Sequence, residues 1–174
     1  FGEPSLICQL RLIFEDGSIE IIITGPGWKC TPSPITYSSI YGGEDYDARL
    51  EQDGWNDPGF NDSSWQSPVL IHPPAGKLIA EQDYPVSVIE SFDAKEIKSL
   101  SSGGFLYDFG QNASGISELK VKGEKGKTIR LIPSELITQN NQANQKATGQ
   151  PYYFTYTLKG DQIEIWRPSF TYYG

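Results

Sequence analysis

Methionine is absent from the 174 residues, histidine occurs once and cysteine twice. A single imidazole rules out a histidine-rich zinc site, and it rules out a Ser-His-Asp triad unless His72 supplies the base. Next to Pro73, that lone ring reads as structural. Basic residues are also scarce, with 14 Lys and Arg against 22 Asp and Glu and a net charge of -8. Such a surface repels phosphate backbones, which argues against a nucleic-acid partner. No apolar run approaches the roughly 18 residues that cross a bilayer, which argues against a membrane partner. The opening Phe1-Gly2-Glu3-Pro4 has neither the basic region nor the apolar stretch of a signal peptide. With no initiating Met and a last segment of Tyr172-Tyr173-Gly174, both ends read as cuts through a longer protein.

Breakers are plentiful. The 18 Gly and 12 Pro follow no period, so collagen-like and low-complexity readings fail. They separate short β-branched and aromatic runs, the pattern of an all-β chain. Residues 5–14 and 18–29 read as two strands around a two-residue turn at Asp16-Gly17. In that register Phe14 opposes Ile19, Leu12 opposes Ile21 and Leu10 opposes Ile23 on one apolar face, with Gln9, Arg11, Glu20 and Thr24 on the other. Cys8 then opposes Gly25, five positions from Cys30. At about 3.3 Å per residue the gap is roughly 16 Å, too wide for a disulfide, so two free, buried thiols are expected.

Residues 32–41 alternate weakly. Residues 42–68 hold Gly, Asp, Asn and Trp with almost no aliphatics, and read as a long ordered loop region packed on Tyr41, Tyr46, Trp55, Phe60 and Trp65. Asn61 or Asp62 caps one helical turn there. Pro73 and Pro74 mark a crossing, Pro85 opens a strand at Val86–Ile89, and a domain boundary falls near residues 73–82. Strands follow at Glu96–Leu100, Gly104–Phe109, Ser114–Lys122, Lys127–Glu135, Tyr152–Lys159 and Ile163–Phe170, with Gly103-Gly104, Gly123–Gly126 and Gly160-Asp161 between them. Short, evenly spaced strands over about 90 residues predict a β-sandwich. Asn140–Gln150 is polar and reads as a long, mobile surface loop.

Seven acids, Glu44, Asp45, Asp47, Glu51, Asp53, Asp57 and Asp62, crowd the loop region. Turn chemistry and pairing with Arg49 account for them most simply. A calcium site and a pair of glycosidase carboxylates stay open as alternatives, although Ala48 and Arg49 fall where an EF-hand needs ligands. Aromatic faces stack on sugars, so Tyr41, Glu44, Asp47, Trp55 and Trp65 are the candidate carbohydrate-binding residues, against the simpler reading of large aromatics as core. Asp108-Phe109-Gly110 matches the kinase magnesium motif, but the chain has no phosphate loop and no His-Arg-Asp segment. Gly103-Gly104 precedes a strand and cradles no phosphate. Asn61-Asp62-Ser63 and Asn112-Ala113-Ser114 match the glycosylation triplet, which is common by chance. Residue types alone assemble no acid, base, nucleophile or metal set, so no catalytic residue and no cofactor are assigned.

Four segments resemble the accessory region of bacterial α-L-rhamnosidases, a family of glycoside hydrolases. They are Ile40-Tyr41-Gly42-Gly43-Glu44-Asp45-Tyr46-Asp47-Ala48-Arg49-Leu50-Glu51; Gly54-Trp55 with Pro58-Gly59-Phe60-Asn61-Asp62-Ser63-Ser64-Trp65; Tyr107-Asp108-Phe109-Gly110-Gln111-Asn112 with Gly115 and Leu119–Gly123; and Phe154–Gly160 with Trp166–Gly174. The resemblance implies two β-sandwich units of jelly-roll or concanavalin-like type. Residues 1–75 would be the later part of the family's N-terminal sandwich, with its front half missing. Residues 80–174 would be the concanavalin-like sandwich, truncated at its C-terminal end. The family's inverting hydrolysis of terminal α-L-rhamnose from plant polysaccharides or glycosides uses carboxylates in a downstream (α/α)6 domain, so that domain is the implied partner. The alternatives are a carbohydrate-binding module for rhamnose or a related sugar, with calcium open as a cofactor, and a protein-interaction sandwich. The compartment stays undetermined, with periplasmic or extracellular settings preferred to the cytoplasm.

Overall fold

Residues 152–158 alternate strictly, with Tyr152, Phe154, Tyr156 and Leu158 buried and Tyr153, Thr155 and Thr157 half-buried between them. That period of two is what a strand with one covered face requires. The computed structural model describes residues 5–146, 151–160 and 162–169, apart from Pro74, Leu78, Ala80 and Glu81. Among them are ten strands and a 3₁₀ turn at Ala48–Leu50, so the chain is all-β: β1 (Gln9–Ile13), β2 (Ile19–Ile23), β3 (Ile35–Ser39), β4 (Gly43–Asp47), the turn at Ala48–Leu50, β5 (Glu96–Ser99), β6 (Phe105–Asp108), β7 (Leu119–Lys122), β8 (Thr128–Leu131), β9 (Tyr153–Thr157) and β10 (Ile163–Trp166).

The chain divides into two interleaved units. Residues 1–32 and 52–85 form one, and residues 33–51 and 86–174 form the other. In the second unit a four-stranded sheet runs in the order β3-β4-β9-β8. β4 lies antiparallel to β3 and parallel to β9, with Glu44 opposite Phe154 and Tyr46 opposite Tyr156. β7 and β10 pair antiparallel as a second layer, with Trp166 opposite Leu119 and Glu164 opposite Val121. The core lies between these layers: Ala48, Tyr152, Phe154, Tyr156, Leu158 and Trp166 are buried, and Tyr46, Leu119, Val121, Ile129 and Leu131 pack against them. Tyr46, Tyr156 and Trp166 stack on one another, with ring centroids 5.1 to 5.9 Å apart. β5 and β6 form a separate ribbon that turns Ile97, Tyr107 and Phe105 to solvent.

Several sequence expectations change here. Gly43–Asp47 is not loop but a central strand. Its run of Gly, Glu and Asp hides a strand because its pairing with β3 and β9, not an apolar alternation of its own, marks it as one. Val86–Ile89 carries no strand, and its apolar side chains are exposed. Asn61–Trp65 makes the expected single turn: Trp65 N donates to Asp62 O at 3.0 Å, and the Asn61 carboxamide oxygen caps it by accepting the Ser63 N–H at 3.1 Å. Within the polar stretch from Asn140, residues to Lys146 are tied down. Thr138 N donates to Gln142 O, and the Gln145 side chain bonds the Pro133 and Tyr152 backbones. The predicted turn at Asp161, the strand end at Phe170, the last motif residues 171–174, the loop residues 147–150 and boundary residues 74, 78, 80 and 81 lie outside the described residues.

In the first unit β1 and β2 do form the hairpin, but one register step away from expectation. Leu12 opposes Glu20, Arg11 opposes Ile21 and Ile13 opposes Ile19. The turn has three residues, not two. Phe14 N donates to Ser18 O, Gly17 N donates to Phe14 O, and Gly17 takes φ +81°. A type I turn closed by a left-handed glycine is the three-residue solution, and the extra residue shifts every pairing. Ile13, Ile19, Ile21 and Ile23 now share a face with Gln9 and Arg11, while Leu10, Leu12, Phe14 and Ile22 share the other with Glu20. Cys8 consequently sits at Thr24, whose backbone N–H donates to its carbonyl. Both thiols are free, but neither is buried: Cys8 is half-buried and Cys30 exposed in a bridge to Gln66.

Candidate functional site

The five candidate sugar-binding residues divide between the units. Tyr41, Glu44 and Asp47 belong to the second, and Trp55 and Trp65 to the first. Glu44 and Asp47 lie three positions apart on one strand, so they occupy opposite faces of β4. Asp47 is on the outer face. Its carboxylate receives the Arg49 backbone N–H at 3.0 Å and the guanidinium at 2.8 and 2.6 Å. The Arg49 bond holds Asp47 below the usual carboxylate range. Tyr41, in the turn before β4, is 74% exposed.

Glu44 faces the core and is fully buried. Oε2 accepts the Ser169 N–H at 3.1 Å, while Oε1 has no hydrogen-bond partner. Burial pushes its carboxyl above the usual range, against the pull of the Ser169 N–H. In the first unit Trp55 is 61% exposed, the most open of the tryptophans. Trp65 is half-buried, packs against Phe60 and donates Nε1–H to Gln52 Oε1 at 2.9 Å. Trp28 donates to Ile23 O at 2.9 Å, and Trp166 is core.

The outer face of the four-stranded sheet gathers polar groups that sequence reasoning did not connect. The Thr155 hydroxyl donates to Asp45, Thr128 and Thr157 hydroxyls meet at 3.0 Å, and the Arg130 guanidinium lies 4.4 Å over the Tyr153 ring. The inner face hides a second acid. Glu164 accepts from Tyr156 Oη at 2.8 Å, Lys159 N at 3.0 Å and Gly160 N at 2.9 Å. Desolvation raises its carboxyl, but these three donors and the Lys159 charge outweigh it and hold it below the usual range. Glu51 takes the Tyr46 hydroxyl on one oxygen and the Lys159 ammonium on the other. Desolvation first and Glu51 second push the Tyr46 phenol well above its ordinary range. The signal for Glu164 was available only in the alternation of Tyr156 and Leu158 that covers it.

The two buried acids meet different donors, Glu44 the Ser169 N–H and Glu164 those of Tyr156, Lys159 and Gly160. Among the described residues no group of three or more His, Cys, Asp and Glu is placed to hold a metal ion. No helix among them is long and apolar enough to cross a membrane.

Comparison with known proteins is decisive for the family. The profile of the alpha-L-rhamnosidase N-terminal domain matches residues 1–90, and that of the bacterial alpha-L-rhamnosidase concanavalin-like domain matches residues 98–174. An alpha-L-rhamnosidase of Streptomyces avermitilis is 35% identical over the whole chain, and one of Formosa agariphila is 30% identical. The solved alpha-L-rhamnosidase of Dictyoglumus thermophilum superposes on 97% of the chain with a TM-score of 0.89 and 39% identity. That of Streptomyces avermitilis, solved with L-rhamnose, has a TM-score of 0.86 and 32% identity over 97% of the chain and 16% of its own. The chain spans about a fifth of these relatives, 17% and 19% of the first two and 19% of the first structure, so they carry other domains beside this region. On the first profile alone, which takes in more than half of its residues, the chain belongs to the alpha-L-rhamnosidase family and represents its N-terminal accessory region.

Proposed function

We propose that the parent of this chain hydrolyses terminal α-L-rhamnose from polysaccharides or glycosides with inversion, and that this region supports a downstream (α/α)6 catalytic domain. The carrying observation is apolar surface that the chain itself leaves open. Ile19, Ile21, Ile22 and Ile23 on β2 are all exposed, as are Ile163 and Ile165 on β10. Isolated exposed aliphatics need no explanation, but strands showing isoleucine to solvent over their whole length mark surface meant for a neighbour. Glu164 is engaged by three donors and Glu44 has no exposed surface, which favours leaving hydrolysis to other parts of the parent.

Assay of the chain on a nitrophenyl α-L-rhamnoside tests this reading: no turnover is expected beside full activity of the parent. Hydrolysis by the chain itself would overturn it.

A second reading rests on exposed Tyr41 and Trp55 and on the relative solved with L-rhamnose. It makes this region a rhamnose-binding module, with Tyr41, Glu44 and Asp47 as the candidate contact residues of one unit and, separately, Trp55 and Trp65 as those of the other. Titration calorimetry with L-rhamnose, with and without calcium, separates the two. Heat that disappears in Tyr41→Ala or Trp55→Ala supports the module, and no heat at millimolar sugar removes it.

A further inference from the structure

β4 enters the second unit from residues 33–51, far in sequence from its parallel neighbour β9. Among the described residues the Glu44 side chain ties it to the segment after β10. Glu44 has no exposed surface, a single donor in the Ser169 N–H, and an Oε1 that reaches nothing. Among the described residues it forms no ion pair, and the titratable and charged groups on the elements packed around it offer no cation. β3 brings only the uncharged Ser38, β4 brings Tyr46, and β9 brings Tyr152 and Tyr156, while Glu164 of β10 is held by Tyr156, Lys159 and Gly160. Lys159, past the end of β9, is held by Glu51, and Arg167, in the segment itself, faces Glu118 at 3.6 Å. Arg130 of β8 is committed to the outer face over Tyr153.

A carboxylate needs several donors once it leaves water, and Glu164 shows what a satisfied one looks like, with three. Glu44 has one. A neutral carboxylic acid is far cheaper to bury, and its carbonyl oxygen still accepts the Ser169 N–H. We propose that Glu44 is a proton-operated clasp: as the neutral acid it closes β4 on residues 167–169, and on ionising it lets that segment open. Burial that pushes the carboxyl up supports the same conclusion. The sign follows from linkage. A group that binds its proton more tightly in the folded state gives a stabilisation that is full below the unfolded value, 4.5, and fades as pH rises through the folded one.

Amide exchange at Ser169, followed by NMR and corrected for the intrinsic base-catalysed rate, reads the clasp directly. In the wild-type chain the opening constant rises with pH through the Glu44 midpoint, by up to about tenfold per unit for one proton. In Glu44→Gln, which keeps the shape of the neutral acid, it stays flat. Carbon-13 titration of the Glu44 carboxyl in the unmodified chain, which needs no folded variant, places its midpoint above that of an ordinary glutamate. A Glu44 that titrates at or below that range, a pH-independent wild-type opening constant, or an equal slope in Glu44→Gln overturns the proposal.

Discussion

Lys159 places its ammonium 2.6 Å from Glu51, 108 positions earlier in the chain, and the other Glu51 oxygen takes the Tyr46 hydroxyl at 3.0 Å. One carboxylate thus bridges the end of β9 to β4 and the 3₁₀ turn. The pair is half-exposed, so solvent screens it, and charge-assisted hydrogen bonding restores part of the loss. A double-mutant cycle of Lys159→Met and Glu51→Gln is expected to give a coupling of about 0.5–1 kcal/mol in urea unfolding, shrinking at high salt. A coupling indistinguishable from zero would mean that packing alone holds β4 in place.

Gly43 sets how close β4 and β9 come. Its φ is +95°, and a Cβ built there would lie 1.7 Å from the Tyr153 carbonyl oxygen. Neither backbone can retreat without breaking the parallel ladder. Gly43→Ala is therefore expected to cost about 3 kcal/mol or more, through strain and lost pairing together. The urea midpoint measures it, with loss of near-ultraviolet signal from the Tyr46, Tyr156 and Trp166 stack as the local readout.

Strands that carry their own pattern were legible in the sequence. β9 alternates in its own side chains, β5 and β6 are bounded by turns, and the motifs at Tyr41–Glu51 and Trp55–Trp65 named the family. β4 was not legible, because Gly-Glu-Asp-Tyr-Asp reads as loop until β3 and β9 flank it. The hairpin was half legible: Asp16-Gly17 marked the turn, but a local signal does not count its residues. β10 reverses the usual pattern, with Glu164 inside and Ile163 and Ile165 outside. No single-strand rule yields that, since the reason is three donors from Tyr156, Lys159 and Gly160.

Gly17 offers a direct test of the turn count. In the observed three-residue turn it sits at φ +81° with open space around its Cβ position, so only backbone strain opposes a side chain. Gly17→Ala is expected to destabilise the hairpin by about 1 kcal/mol, and Gly17→Asn by less, since Asn tolerates that region. Exchange rates of the Leu12 and Glu20 amides, which face each other in a hydrogen-bonded pair of the ladder, report the loss.

Glu164 and Glu44 should give pH dependences of opposite sign. Glu164 has a lowered carboxyl, so its stabilisation is present above the unfolded value of 4.5 and is lost as pH falls through its folded value. Glu164→Gln strands one or more of the Tyr156, Lys159 and Gly160 donors, at about 1–3 kcal/mol. It should also flatten the acid limb of a stability–pH profile, leaving the alkaline-side decline from Glu44 in place. Global unfolding from below pH 4.5 to neutrality checks both limbs in one series.

Ile21 separates a surface that is open by nature from one awaiting a neighbour. It is 54% exposed on β2, opposite Arg11, where a lysine has room and water. In this chain Ile21→Lys is expected to change stability by no more than about 0.5 kcal/mol and to raise solubility. In the longer parent the same ammonium would be trapped against apolar surface, at a cost of about 2–4 kcal/mol in unfolding. Equal effects in the two proteins would mean that β2 faces solvent in both, and the supporting role would then lose its main observation.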